Sequence, residues 1–181
     1  MENLNFLNTK SVTSLSFAIL VASFLTITKI AYANVEKLKK WEGGPPQSLE
    51  VVNLSGEAMD VSANRGNVIL VNFWASWCTP CVKEIPSLIR LSNFFIDEPF
   101  KIMMINFGET EKKVRSFSKN LSLDNTVFLD SEMNSEDFWV TKGLPVSYIL
   151  DKNGNITHSA IGEVEWDSME IKNLIKIILG S

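Results

Sequence analysis

The feature that most constrains the fold of this chain is the position of its two cysteines. Cys78 and Cys81 are the only cysteines in 181 residues, and two residues separate them. They follow the apolar run 68–74, which is typical of a strand buried on both faces of a sheet. They begin a helical pattern over residues 79–97, with Pro80 in its first turn, where proline is tolerated. This arrangement favours a reversible dithiol/disulfide pair.

Two other uses of a cysteine pair agree less well with the sequence. Zinc normally takes four ligands, but the chain has no further cysteine, and its one histidine, His158, is far along the sequence. We therefore expect no bound metal and no other cofactor. A structural disulfide across so short a loop would constrain the unfolded chain little. An inert buried pair does not explain a position between a strand and the start of a helix.

The first 33 residues predict a targeting segment that lies outside the folded domain. Lys10 precedes an uncharged stretch at residues 11–28, and an A-x-A sequence at residues 31–33 ends the segment. This layout is typical of a secretory signal peptide. An uncleaved membrane anchor is the alternative, because the stretch is at the short end of what spans a bilayer, roughly 17–25 residues. Both hypotheses place the rest of the chain outside the cytoplasm, in the periplasm or an equivalent space.

The remaining pattern predicts an α/β domain around a central mixed sheet. Residues 34–47 are polar and contain a Gly-Gly-Pro-Pro breaker, which predicts an entry segment before a domain at 48–181. Residues 49–61 predict a β-hairpin. The order of elements fits helices on both faces of the sheet. After the hairpin, the predicted strands are 68–74, 101–107, 126–129, 146–150 and 156–161, and the predicted helices are 79–97, 111–121, 135–142 and 167–179.

Composition is that of an ordinary globular domain and excludes few functions. The chain is 45% hydrophobic and 21% charged, and its formal net charge is −4. Nothing in this balance indicates nucleic-acid binding.

Exported proteins usually carry cysteines as structural disulfides, but one disulfide across so short a loop would stabilise the fold little. The single closely spaced pair of an exported chain is therefore best explained by a chemical use of that pair.

Cys78 is the predicted nucleophile. It falls where a helix begins, and free backbone N–H groups and the helix dipole there stabilise a thiolate, the form that attacks a disulfide. We expect Cys78 to be exposed, and Cys81, one turn later, to be more buried and to resolve the mixed disulfide. Glu84 lies three residues further on the same helix face. Its carboxylate either holds or relays the proton of Cys81, or is simply solvated.

These residues resemble the TlpA/ResA-like branch of the thioredoxin superfamily, a group of exported or membrane-tethered thiol:disulfide oxidoreductases. The similarity covers about residues 44–179. It includes the Trp-Cys-x-Pro-Cys-x-x-Glu-x-Pro pattern of residues 77–86 and the stretch 143–154, which contains Gly-Leu-Pro. The resemblance implies a thioredoxin-like fold with an N-terminal β-hairpin, and it implies that Cys78 and Cys81 are the redox pair.

The resemblance also implies roles for other positions. Glu84 matches the active-site glutamate of this branch. Pro145 matches a cis-proline that faces the disulfide, whereas the sequence alone favours a trans bond, because most X-Pro bonds are trans. Leu144 would lend backbone hydrogen bonds to a bound peptide, and Trp77 would pack beside the sulfurs. Val146 departs from the family, where threonine is common.

The leading hypothesis is an exported thiol:disulfide reductase. The resemblance implies that a membrane electron donor of the CcdA/DsbD type reduces it. It would then reduce disulfides of exported proteins, in cytochrome c maturation or in copper-site assembly. An oxidant or isomerase on the same scaffold is one alternative, and a redox-insensitive binding module is another. We expect a monomer that binds exported protein or peptide disulfides and no nucleic acid.

Overall fold

The computed structural model describes residues 37–119, 126–140 and 142–180. The targeting segment predicted at 1–33 and the end of the helix predicted over 111–121 lie outside the described residues. None of the described helices is long and apolar enough to cross a membrane. The described strands are β1 (Leu38–Lys40), β2 (Glu50–Asn53), β3 (Ala58–Asp60), β4 (Val68–Trp74), β5 (Phe100–Phe107), β6 (Val127–Asp130), β7 (Val146–Leu150) and β8 (Ile156–Ile161); the α-helices are α1 (Thr79–Phe94), α2 (Glu111–Ser118) and α3 (Met169–Gly180).

The strands form one mixed sheet, as the sequence pattern predicts. Their order is β1-β8-β7-β4-β5-β6-β2-β3. β4 pairs in parallel with β5, and β5 with β6, whereas the other neighbours are antiparallel. β4 lies in the middle of this order and is buried along its whole length. Its burial on both faces explains its uninterrupted apolar sequence.

Two hydrophobic clusters lie on the two faces of the sheet. Successive side chains of a strand point to opposite faces, and along β4 Leu70 and Trp74 belong to one cluster while Ile69 and Phe73 belong to the other. The first cluster also contains the buried apolar residues of the three described helices: Ile85, Leu88 and Leu91 of α1, Val114 of α2, and Ile171, Ile175 and Ile178 of α3.

The sequence pattern predicts helices on both faces of the sheet, whereas the described helices all cover one face. β4, β5 and β6 lie side by side in chain order. Parallel neighbours are joined by right-handed crossovers, so the connections that contain α1 and α2 lie on the same side of the sheet. In the described part of the chain, the second face is covered by Val61 of the 3₁₀ turn Val61–Ala63 and by Trp139 and Val140.

The helix predicted over 135–142 is wrong, because the described part of that segment forms turns. Asp130 accepts hydrogen bonds from both the backbone N–H and the hydroxyl group of Ser135. The carbonyl of Ser135 in turn accepts from the N–H groups of Trp139 and Val140, at 2.9 and 3.0 Å. One carbonyl shared in this way closes a single turn instead of continuing a helix.

The predicted entry segment contributes an edge strand, β1, which the sequence pattern does not predict. β1 pairs antiparallel with β8, with Lys40 opposite His158. Trp41 follows directly and packs edge-on against Tyr148, with 5.5 Å between the ring centroids. Part of the segment 34–47 is therefore integrated into the sheet and its packing.

Candidate active site

The two cysteines lie at the carboxyl end of β4, where the chain enters α1. β5 runs parallel to β4, so the residues that follow it lie at the same end of the sheet. β7 runs antiparallel to β4, with Val146 opposite Phe73, so the residues that precede it lie there too. The topology thus gathers three segments at one end of the sheet: residues 75–78, 106–110 and 143–145.

Cys78 and Cys81 form a disulfide, with 2.02 Å between the sulfurs. Cys78 is the N-cap residue of α1, and its Sγ accepts a hydrogen bond of 3.3 Å from the N–H of Cys81. Cys81 is completely buried, and Cys78 is only 5% exposed. This is less than we expected for Cys78, because the residue packs within the first hydrophobic cluster. Unpaired N–H groups at a helix start favour negative charge, so Cys78 occupies the position that favours a thiolate.

Glu84 is buried within the domain, so the hypothesis of a solvated side chain is wrong. It is 2% exposed. Its Oε1 accepts from the side-chain amide of Asn72 at 2.7 Å, and its Oε2 accepts from the N–H of Val164 at 3.1 Å and from the indole N–H of Trp166 at 3.2 Å. Burial raises the pKa of Glu84 to about 7, although these hydrogen bonds act to lower it. The carboxyl group can therefore gain or lose a proton near neutral pH.

A further set of hydrogen bonds fixes the partners of Glu84. The amide of Asn72 also donates to the hydroxyl of Ser147 at 2.9 Å. The hydroxyl of Ser87 donates to the Glu84 carbonyl at 2.8 Å and accepts from the N–H of Trp166 at 3.1 Å. The orientation of the carboxylate is therefore set jointly by β4, β7, α1 and the segment that precedes α3.

A second buried carboxylate, that of Glu109, follows β5 and was missed from the sequence. It accepts from the N–H and the hydroxyl of Ser76 at 2.6 and 2.7 Å, from the amide of Asn106 at 2.8 Å and from the ammonium of Lys113 at 2.6 Å. Burial acts to raise the pKa of Glu109, but the hydrogen bonds from Asn106, Lys113 and Ser76 outweigh it and lower the pKa to about 2. The sequence signal that could have identified Glu109 is its position with Asn106 at the carboxyl end of β5, the strand parallel to β4.

The residues predicted to contact a client differ in their accessibility. Trp77 is 64% exposed, so most of its indole is open to another molecule beside Cys78. The Leu144–Pro145 peptide bond is cis, as the family resemblance implies. Pro145 is buried, and its carbonyl accepts from the N–H of Gly162 at 2.8 Å. Leu144 packs partly buried against both hydrophobic clusters.

No metal-binding group is assembled around the cysteine pair in the described part of the chain. Among those residues, no three or more histidine, cysteine, aspartate or glutamate side chains are arranged to hold a metal ion. His158 lies on β8, which β7 separates from β4.

Comparison with known proteins finds relatives along most of the chain. The Redoxin family matches residues 35–178. Thiol-disulfide oxidoreductase ResA of Bacillus subtilis (strain 168) is 27% identical over 166 residues, which cover 91% of each chain. Thioredoxin-like protein YneN of the same strain is 31% identical over 134 residues, which cover 72% of this chain and 78% of YneN. Among solved structures, a thiol:disulfide interchange protein of the thioredoxin family from Chlorobium tepidum TLS matches with a TM-score of 0.63 at 23% identity and covers 77% of this chain and 99% of its own.

Proposed function

This chain belongs to the Redoxin family and is a thiol:disulfide oxidoreductase of the ResA/TlpA-like kind, and from that premise we propose that it reduces disulfides of exported client proteins. One observation carries the proposal. Cys78 caps the start of helix α1, a position that favours a thiolate, and one turn after Cys81 the helix carries Glu84, a buried carboxyl group with a pKa of about 7. A nucleophile and a proton acceptor for its partner thiol are thus parts of one helix.

In the proposed cycle, the thiolate of Cys78 attacks a disulfide of the client. A bond forms between the Cys78 sulfur and one client sulfur, and the second client sulfur leaves as a thiolate. The thiolate of Cys81 then attacks the Cys78 sulfur, which closes the Cys78–Cys81 disulfide and releases the first client sulfur. Two electrons pass to the client, whose two sulfurs take up protons.

Glu84 is the proposed proton acceptor for Cys81. Complete burial disfavours ionisation of the Cys81 thiol, yet the thiol must lose its proton before it can attack. A base works best when its pKa is near the working pH, and the pKa of Glu84 is about 7. The same carboxyl group would return the proton when the pair is reduced again.

We assign client contact to the residues around the disulfide. The exposed indole of Trp77 offers a large apolar surface beside the nucleophile. The backbone of Leu144 would pair with an extended client segment by strand addition. Pro145 would border the same site, and its place before β7, at the sheet end where Cys78 lies, supports this assignment.

The place of the protein in the cell is also part of the proposal. The signal-like sequence of residues 1–33 supports export, with cleavage after Ala33 or retention as an anchor; residues 34–47 would lead into the domain at 48–181. We propose that a monomer acts in the periplasm or an equivalent extracytoplasmic space. A membrane donor of the CcdA/DsbD type would resupply electrons, and the clients would belong to cytochrome c maturation or copper-site assembly.

The test is to trap the mixed disulfide. A Cys81→Ser variant, expressed from the full chain, should accumulate disulfide-linked adducts with extracytoplasmic proteins. A thiol reductant should cleave these adducts, and Cys78→Ser should accumulate none.

The reduction potential of the wild-type pair is a second test, and it should be near that of thioredoxin, about −270 mV, or lower. A potential near −120 mV would identify an oxidant instead. Absence of Cys78-dependent adducts would contradict the cycle altogether.

A further inference from the structure

A single peptide group connects Glu109 with the proposed nucleophile. The N–H of Ser76 donates to Oε2 of Glu109 at 2.6 Å. The carbonyl of Ala75 accepts from the N–H of Cys78 at 3.1 Å. The N–H of Ser76 and the carbonyl of Ala75 belong to the same planar peptide unit. The orientation of that unit therefore determines both contacts at once.

We propose that Glu109 is a positioning residue for thiol–disulfide exchange, which holds the Ala75–Ser76 peptide in the orientation that places Cys78 at the start of α1. The inference rests on the proposed function, because it assigns a role in the reaction that Cys78 begins. Glu109 acts through the backbone and does not itself touch the reacting sulfurs.

The surroundings of Glu109 suit a fixed anchor. The residue is 5% exposed, and charge-assisted hydrogen bonds are strong in such an environment. The ammonium group of Lys113, in the first turn of α2, lies 2.6 Å from the carboxylate of Glu109 and balances its charge. The hydroxyl of Ser131 donates to its carbonyl at 3.0 Å, which holds its backbone as well. Both ends of the residue are therefore tied to neighbouring elements.

The connection from Glu109 through the Ala75–Ser76 peptide has two consequences for Cys78. A carboxylate that accepts from the N–H of Ser76 polarises the peptide and makes the Ala75 carbonyl a better acceptor for the N–H of Cys78. The turn of residues 75–78 is thereby held in place between β4 and α1. Reaction rates are sensitive to such placement, because a displacement of about 1 Å can cost about 100-fold.

A purely electrostatic role for Glu109 makes the opposite prediction. A negative charge near Cys78 would disfavour its thiolate, so a neutral side chain at position 109 would lower the pKa of the Cys78 thiol and speed thiol–disulfide exchange. If Glu109 acts by positioning, its loss must instead slow thiol–disulfide exchange and loosen the Ser76 and Cys78 amides.

The experiment compares Glu109→Gln with Glu111→Gln in the full chain. Glu111 begins α2, and its carboxylate pairs with Arg115 at the surface, so this control removes the same charge without touching Ser76. The measurements are the rate constant with which the reduced protein reduces a disulfide-containing peptide, the pKa of the Cys78 thiol, and the hydrogen exchange of the Ser76 and Cys78 amides. We expect Glu109→Gln to slow peptide reduction about 10-fold or more and to speed exchange of both amides, and Glu111→Gln to leave all three measurements near wild type.

Three outcomes separate the possible failures. If the wild-type protein reduces the peptide and Glu109→Gln has the same rate constant for peptide reduction as Glu111→Gln, the inference is overturned and the proposed function stays intact. Faster reduction of the peptide disulfide by Glu109→Gln, together with a lowered pKa of the Cys78 thiol, would show that Glu109 acts electrostatically and not by positioning. A wild-type protein that reduces no peptide disulfide would overturn the proposed function itself.

If Glu109→Gln does not fold, Glu109→Asp provides the test. This variant keeps the negative charge but withdraws the carboxylate from Ser76 by one methylene. Slower peptide reduction together with faster exchange of the Ser76 amide would support positioning. A wild-type rate with a loosened Ser76 amide would contradict it.

Discussion

The side-chain amide of Asn72 donates a hydrogen bond of 2.7 Å to the carboxylate of Glu84, and this contact joins the central strand β4 to the helix that carries the cysteine pair. Asn72 is completely buried and Glu84 is 2% exposed. A neutral amide donor stabilises the ionised carboxylate without adding a second charge. The amide therefore opposes the effect of burial and helps to keep the pKa of Glu84 near neutrality.

Removal of that donor should raise the pKa of Glu84 above about 7. Asn72→Leu leaves the burial of Glu84 in place and removes a hydrogen bond that favours its charged form. NMR titration of the Glu84 carboxyl carbon in the oxidised protein measures the shift. Ser147→Ala is the matched control, because it removes the other acceptor of the Asn72 amide and leaves the bond to Glu84. An unchanged or lowered pKa in Asn72→Leu would refute this account.

The stability of the oxidised protein should fall as pH rises through the pKa of Glu84. The folded pKa of about 7 is above the usual 4.5, so the folded state binds this proton more tightly than the unfolded state. The resulting stabilisation is complete below pH 4.5 and is lost by about pH 7, on the order of 3 kcal/mol. Denaturant unfolding from pH 4.5 to 8.5 measures it, and Glu84→Gln should flatten the curve. Parallel curves for the two proteins would show that Glu84 does not titrate as argued.

Glu109 should give the opposite dependence at acid pH. Its folded pKa of about 2 is below the usual 4.5, so its contribution is complete above pH 4.5 and is lost as pH falls through 2, on the order of 3 kcal/mol. Acid unfolding monitored by circular dichroism should be shallower in Glu109→Gln than in wild type. Glu111→Gln, which alters an exposed ion pair, should retain the wild-type profile. Equal acid sensitivity in both variants would contradict the prediction.

Loss of the exposed indole should affect clients without affecting the fold. Because Trp77 is 64% exposed, Trp77→Ala should change the free energy of unfolding by no more than about 0.5 kcal/mol. It should slow reduction of a peptide disulfide and leave reduction of a small aliphatic disulfide unchanged. The two rate constants are measured side by side on the reduced protein. A proportional loss with both substrates would show that Trp77 acts on the cysteine pair rather than on the client.

The core beneath α1 should be sensitive to truncation. Leu91 is completely buried, whereas Ile96, just beyond the end of the same helix, is 75% exposed. Leu91→Ala should destabilise the protein by about 2–5 kcal/mol, because a cavity adds to the lost transfer free energy. Ile96→Ala should cost no more than about 0.5 kcal/mol. Denaturant midpoints at one pH measure both, and similar costs would argue against the packing described for α1.

Local patterns in the sequence were sufficient for the elements that carry the cysteines. β4 has the bounds predicted from its apolar run, and α1 begins at Thr79 as predicted and ends at Phe94, three residues early. β1 could not be predicted in this way. It has three residues, two of them lysines, and exists because β8 provides a partner far along the chain. The helix predicted over 135–142 failed because a side chain outside that window, Asp130, captures Ser135.

The site was predictable only as far as spacing reaches. The interval between Cys81 and Glu84 places the carboxylate on the correct helix, but its burial depends on distant partners. Asn72 is 12 positions away in sequence, and Trp166 is 82 positions away. Glu109 likewise reaches Ser76 across 33 positions. Contacts of this kind are set by the sheet topology, which a single sequence specifies only indirectly.

Among the described strands, those at the two edges of the sheet, β1 and β3, have three residues each. An open edge exposes unpaired backbone groups that can template a cross-β assembly with another chain. Brevity limits how many such groups each edge offers, and the exposed Lys39 and Lys40 add charge repulsion on β1. A domain bounded in this way is protected from edge-to-edge growth, so we expect it to withstand high concentrations without forming fibrils.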